Sequence, residues 1–411
     1  MKITFLSHYF PPEGNAPATR VHAMCKRWVS AGHEVTVVTS APNVPDGVVY
    51  DGYRNRLFHS EIIDGIRVVR VWTYLAPNKG AFRRIANYVS YMLSATIFGL
   101  LQKRPDILIA TSPQFFCGWA GAILRYAKGV PFILEIRDIW PESIVAVGAM
   151  NNKRLVKMLE WLELKLYAVA DHIVTVGEGY RKRLAEKGVS DERMTIVTNG
   201  LDDTDFFPRK KSQELLAFHY LQGKYVCAYV GTIGMACGLE VVLDAASKLK
   251  MRGVEDVHFL LVGDGASRER LLEQTRKRGL ESFISLVGRR PKSQIPDYLA
   301  TADVCLVHLR KTDLFTTVLP SKIFEAAGME RPIINGVRGQ AMEIVEAAGA
   351  GLAMEPESAD DLVAALLKLK GNPALAEQLG KSGREHVLKH YNRNVLAEDY
   401  LRLLTQLADS S

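Results

Sequence analysis

Cysteine is scarce, five in 411 residues. Cys25, Cys117, Cys227, Cys237 and Cys305 are widely spaced, and no two form a CxxC pair. That excludes a disulfide framework and a cysteine-ligated zinc site. Most of them lie in or beside apolar runs, where cysteine acts as a small hydrophobe. Long apolar runs are also missing. The longest, residues 85–101, covers about 17 residues against the roughly 20 that a bilayer span needs. It is interrupted by Asn87, Ser90, Ser94 and Thr96, so it reads as a long packed helix. The first apolar stretch, after Met1, is too short for a signal peptide and reads as a strand. No DxD-like cluster with ligand geometry, zinc-finger motif, RNA-binding signature, repeat or low-complexity tract is found. A reduced, cytoplasmic compartment is the expectation. The basic flanks Arg83, Arg84, Lys103 and Arg104 leave peripheral attachment to the inner face of the cytoplasmic membrane open.

What remains is an ordinary globular chain, 48% hydrophobic and 24% charged, long enough for two or three domains. Its net charge of +7 suits an acidic ligand or an anionic surface. The basic residues are scattered, which makes nucleic acid the weakest partner.

The chain is organised around residues 303–334, DVCLVHLRKTDLFTTVLPSKIFEAAGMERPII. Residues 303–309 read as a buried strand, 310–319 as a loop, and Ser321 as the start signal of a short helix that Gly328 weakens. Arg331-Pro332 breaks it before another strand. The loop, ending at Leu319, lies at the C-terminal edge of a sheet, where open α/β sheets bind ligands. Lys322 and Glu325 are three apart and share a helix face. An ammonium near a helix start suits a diphosphate, and a carboxylate beside it can accept hydrogen bonds from a ribose diol. An ordinary amphipathic surface helix accounts for the same residues equally well.

Earlier in the chain, residues 1–40 run strand, loop, helix, strand, a doubly wound opening. The loop HYFPPEGNAPAT carries Gly14, which allows φ values that other residues avoid, and Asn15, with Arg20 just beyond it. Residues 131–136 form a strand running into Arg137-Asp138-Ile139-Trp140-Pro141-Glu142-Ser143. Arg137 could hold a phosphate and Asp138 could orient a hydroxyl, or the two could simply pair. Residues 225–230 are a strand, followed by the glycine-rich turn Gly231-Thr232-Ile233-Gly234 and the helix 239–250. Such a turn cradles phosphate, though alone it is a weak signal. Residues 360–382 look like one amphipathic helix.

PSKIFEAAGMERPII resembles the donor-binding segment of retaining GT-B glycosyltransferases of the GT4-like, group 1 family. YFPPE-G-x-A-x-x-R followed by GHEVTVVT is similar to that family's first lobe. R-D-x-W-P-E-S resembles a subgroup acting on bacterial surface polysaccharides such as O-antigen and capsule. The resemblance covers nearly the whole chain. It implies two Rossmann-like, doubly wound domains facing across a cleft. Residues 1–203 would be the acceptor domain, with the C-terminal helix 391–411 packed back on it, and residues 204–390 the nucleotide-sugar domain. By the same resemblance Glu325 binds the ribose, Gly14, Asn15 and Arg20 face the acceptor, and Arg290 is near the nucleobase. The family's first Glu is replaced by Thr317. The Arg and Lys of its glycine-rich loop are replaced by Thr232 and Cys237, so Lys322, Arg310 and Arg137 become the candidate cations. The implied activity is metal-independent transfer of a sugar, an N-acetylated hexosamine or deoxyhexosamine, from a UDP-sugar to a lipid-linked glycan, with no cofactor beyond that co-substrate. Arg137, Asp138 and Lys322 would be the catalytic groups. The departed positions leave two alternatives, a degenerate binding subunit and a nucleotide-sugar 2-epimerase on the same fold.

Overall fold

The computed structural model describes residues 1–44, 46–75, 81–112, 114–142, 145 and 152–410, with only the backbone of Ala81 and Phe82. Ser143 of the expected loop motif lies outside the described residues. The chain divides into two compact units, Met1–Asn199 with Arg393–Ser411, and Gly200–Asn392.

The first unit is built on β1 (Lys2–Leu6), β2 (Glu34–Ser40), β3 (Phe58–Ile63), β4 (Ile66–Val71), β5 (Ile107–Thr111), β6 (Phe132–Ile136), β7 (His172–Thr175) and β8 (Met194–Ile196). They form one sheet in the order β3-β4-β2-β1-β5-β6-β7-β8. Every pairing is parallel except the β3–β4 hairpin, whose turn puts Asp64 and Gly65 at positive φ. Strands β1, β5, β6 and β7 are almost wholly buried, as sheets covered by helices on both faces require. The helix Arg393–Asp409 belongs to this unit. There the buried Trp28 indole donates to Ala397 O (3.0 Å) and meets the Tyr400 ring edge-on at 5.3 Å.

Helix Ala16–Ser30 starts inside the stretch read as loop, because Asn15 caps it by accepting the Ala18 N–H at 2.9 Å. Helix Ala81–Leu101 is packed through Tyr91, whose hydroxyl donates to Val38 O at 2.8 Å. Among the described residues, no helix is long and apolar enough to cross a membrane. All five cysteines are buried thiols.

The second unit carries β9 (Tyr225–Val230), β10 (Val257–Val262), β11 (Ile284–Gly288), β12 (Val304–His308), β13 (Ile333–Gly336) and β14 (Gly351–Ala353). All pair in parallel, in the order β11-β10-β9-β12-β13-β14. The order reverses between β9 and β12, which makes that the topological switch point. The single helix expected over 360–382 is two, Ala359–Gly371 and Pro373–His390. Pro373 has no N–H to continue the first helix. It opens the second instead, capped by Asn372, which accepts the Leu375 N–H at 3.1 Å.

Two buried histidines set an acid limit on this fold. Burial pushes His8 down to about 3 and His258 to about 4. Below the ordinary histidine range the unfolded chain takes up protons that the folded chain refuses, so stability falls as pH drops through about 6 toward 4. Each group should contribute a slope on the order of 1.4 kcal/mol per pH unit. Denaturant melts of wild type and His8→Asn at several pH values check this. The variant should show the shallower dependence.

Candidate functional site

The site is assembled where β9 and β12 end. Gly231 follows β9 at φ 142°, and its N–H donates to Val262 O at 2.9 Å. A Cβ on Gly263 would lie 1.8 Å from Gly231 O, and one on Gly265 would lie 2.5 Å from Ile233 O. The loops after β9 and β10 therefore touch backbone to backbone, and only glycine fits at either position. From the β12 side, Arg310 donates its N–H to Ala236 O (2.9 Å) and its Nε–H to Met235 O (2.7 Å). His308 Nδ1 donates to Cys237 O at 2.7 Å while its Nε2 accepts the Glu357 N–H at 2.8 Å. Those two partners fix one neutral tautomer, in line with burial lowering the His308 pKa.

Lys322 opens the helix Lys322–Gly328 and reaches back under this loop. Its Nζ donates to the Tyr229 hydroxyl at 2.6 Å and sits 3.9 Å from the ring centroid. That hydroxyl in turn donates to Thr232 O at 2.7 Å, so its lone pairs are left facing the ammonium. A Cβ on Gly231 would come within 3.1 Å of Lys322 Nζ, so the ammonium rests on the Gly231 backbone. Burial lowers the lysine pKa, with the Cys237 and Glu325 side chains working against it. An ammonium whose hydrogen-bond partner is neutral, held against open backbone at the switch point, is ready for an anion. Glu325 lies on the next turn, half-buried.

Several expected residues do other work. Ser321 has helical angles (φ −60°, ψ −23°) and makes no side-chain cap, so the seven-residue helix has no capping box to begin it. Leu319 is a core residue at 4% exposure. Gly234 precedes the tight turn Met235–Cys237 with ordinary extended angles, and Thr232 contributes its carbonyl to Tyr229 and to the Cys237 thiol. Arg310 is not a spare cation, because Glu240 and Glu357 each hold its guanidinium at 3.1 Å. Arg290 folds onto its own loop, Nη2 to Val287 O at 3.3 Å. Thr317 closes a short turn with its hydroxyl on Leu314 O (2.7 Å).

In the first unit, Gly14 is exposed, with open space around its Cβ position, and it is not among the positive-φ glycines. Its conformational freedom is unused. Asn15 is the helix cap already described. Arg20 points inward at 4% exposure. Its N–H groups go to Glu135, Val197 O, Thr198 O and Asn199 Oδ1, so it ties the segment after β8 to β6 and has nothing left for a ligand. Arg137 and Asp138 follow β6, and both backbone N–H groups donate to Ser112 Oγ at 2.7 and 3.2 Å. Sequence reasoning missed Tyr229, His308, Glu13 and Glu135. The Glu13 carboxylate accepts the N–H groups of Asn43 (2.9 Å) and Val44 (3.1 Å) and so fixes the loop after β1. An acidic residue inside the apolar strand FILEI was the available signal for Glu135.

Comparison with known proteins settles the family. Residues 15–200 match the glycosyl transferase 4-like domain, and residues 214–386 match the glycosyl transferases group 1 domain. The chain is a group 1 glycosyltransferase. This glycosyltransferase is 25% identical to the colanic acid biosynthesis glycosyl transferase WcaI of Escherichia coli, over 96% of its own length and 100% of WcaI. Among solved structures it resembles sucrose-phosphate synthase from Thermosynechococcus elongatus (TM-score 0.78, 18% identity, all of both chains). It also resembles HepE of Anabaena, solved with UDP and glucose (TM-score 0.74, 16% identity, 98% of this chain and 99% of that one). These neighbours establish the GT-B fold for the glycosyltransferase.

Proposed function

We propose that this glycosyltransferase moves a sugar from a UDP-sugar to a lipid-linked glycan during bacterial surface-polysaccharide synthesis, with retention at the anomeric carbon. The observation that carries the donor half is Lys322, an ammonium resting on Gly231 with a neutral partner, one helical turn before Glu325. In this reading Lys322 receives the diphosphate and Glu325 accepts the ribose hydroxyls. The loss of positive charge at Thr232 and Cys237 is met from β12's side of the switch point. The relative solved with UDP and glucose supports UDP as the nucleotide, and WcaI supports a polysaccharide pathway. The bond to the departing diphosphate breaks as the acceptor oxygen attacks from the same face, and the leaving phosphate oxygen takes the acceptor's proton. Lys322 stabilises the charge that develops on that phosphate, the part a metal ion plays elsewhere. The donor sugar is proposed to be an N-acetylated hexosamine or deoxyhexosamine. Peripheral attachment to an anionic leaflet is proposed through helix Ala81–Leu101, whose Leu93, Ile97, Leu100 and Leu101 are exposed beside Lys103 and Arg104.

A panel of UDP- and GDP-sugars tests the donor class. A ligand that binds only the folded chain raises its melting temperature. UDP-N-acetylhexosamines are expected to give the largest rise, and uniform silence across UDP-sugars contradicts the proposal. Glu325→Ala removes a charge-assisted ribose contact and should weaken UDP by about 1.5–3 kcal/mol. Unchanged UDP affinity by calorimetry removes Glu325 from the site.

A further inference from the structure

The first unit contains a guanidinium that its own protein leaves unanswered. Arg137 stands just past the end of β6, its main chain fixed on Ser112 Oγ. Its Nε and Nη1 are sealed from solvent and have no hydrogen-bond partner among the described residues. The charges around it come from several elements. Arg20 approaches from helix Ala16–Ser30, Glu135 from β6 itself, and Arg393 from the start of the C-terminal helix, with the phenol of Tyr180 beside them. Asp138 is close to the same phenol. Arg20 and Arg393 thus add like charge at Arg137, and Glu135 is the carboxylate that opposes it there. The Glu135 carboxylate is already engaged, by Arg20 Nη2 at 3.2 Å and by the Thr111 hydroxyl at 2.9 Å.

A buried guanidinium with unmet donors and like charges around it is unfavourable as it stands. Burial, with Arg20 next, pushes it down to about 10, so the ligand-free protein works against this charge. An oxyanion resolves both defects at once. It supplies acceptors for the two idle N–H groups and the negative charge that the cluster lacks, and the planar fork of arginine matches two oxygens of a phosphate or carboxylate.

We propose that Arg137 is the centre of an oxyanion site in the first unit, and that it takes a charged group of the acceptor glycan, a phosphate or a sugar carboxylate. The acceptor assignment rests on the reading that gives the donor to the second unit; the oxyanion site itself does not. Both donors are sealed in the ligand-free chain, so the side chain must turn to present them; the group then accepts hydrogen bonds from Nε and Nη1, with no bond made or broken there. Arg20 and Glu135 are positioning residues that hold the guanidinium's surroundings in place.

The test is calorimetry on the full chain saturated with UDP, with pyrophosphate and glucuronate titrated in separate arms. Wild type should bind one or the other, and the tighter arm assigns phosphate or carboxylate. Arg137→Gln should lose at least about tenfold in that arm, the equivalent of about 1.4 kcal/mol. Arg137→Lys, which keeps the charge but not the fork, should fall between them. Without ligand, Arg137→Met should melt at or above wild type, since it removes a charge that burial, Arg20 and Arg393 oppose more than Glu135 supports. No binding of either anion overturns the site, as does an Arg137→Gln variant that binds as tightly as wild type, or an Arg137→Met variant that melts well below it. Should UDP itself fail to bind, the donor reading fails, and the Arg137 dependence of anion binding is still read in the same cell.

Discussion

Lys322→Ala is expected to weaken UDP by about 2–3 kcal/mol, roughly 30- to 150-fold, while uridine affinity changes little. The asymmetry is the point, because only the diphosphate meets the ammonium. Turnover should fall further than UDP affinity, since charge on the leaving phosphate is largest as the bond breaks. Tyr229→Phe separates position from charge. It removes the oxygen 2.6 Å from Nζ and leaves the ammonium in place, so it should cost a fraction of the lysine effect. The burial that lowers the Lys322 pKa adds a pH signature. UDP affinity should decline as pH rises through that lowered value, earlier than for a solvated lysine. Lys322→Ala should show no such decline. Equal losses for UDP and uridine contradict a phosphate role.

The second large effect is on stability. Glu135 is 1% exposed and is the common counter-charge of Arg20 and Arg137. Burial alone would raise its pKa, but Arg20 and Arg137 outweigh that and hold the carboxyl ionised. Glu135→Ala leaves buried guanidiniums facing one another with an acceptor lost. Breaking a buried pair in this way costs about 3–5 kcal/mol. In a unit of this size that lowers the melting temperature by roughly 6–20 °C. Glu135→Gln keeps an acceptor for Thr111 and should cost less. A melting temperature within a degree of wild type for Glu135→Ala would show that the cluster is not coupled through this carboxylate.

Strands were the most legible part of the chain. β1, β5, β6, β9 and β10 are short apolar runs bounded by polar loops, and burial on both faces writes itself as unbroken hydrophobicity. Helix ends were less legible. Asn15 and Asn372 act through single side-chain hydrogen bonds, and a sequence offers many residues that could make one. The candidate site was legible in its charged members and opaque in its neutral ones. Lys322 and Glu325 stand out by spacing, but Tyr229 sits in an apolar strand, and only parallel pairing brings its hydroxyl to the lysine. Arg310 looked like a spare cation and Arg20 like an acceptor contact because a sequence does not display the carboxylates and carbonyls that the fold brings to them. Arg137 differs from both in that the fold brings it neighbours without satisfying it.

The account depends most on where the diphosphate lies, and a crystal structure of the chain grown with UDP reads this directly. The account predicts diphosphate oxygens within hydrogen-bond reach of Lys322 Nζ over Gly231, and the ribose hydroxyls on Glu325. Well-ordered UDP bound away from the β9–β12 switch point, or with its diphosphate turned from Lys322, contradicts it.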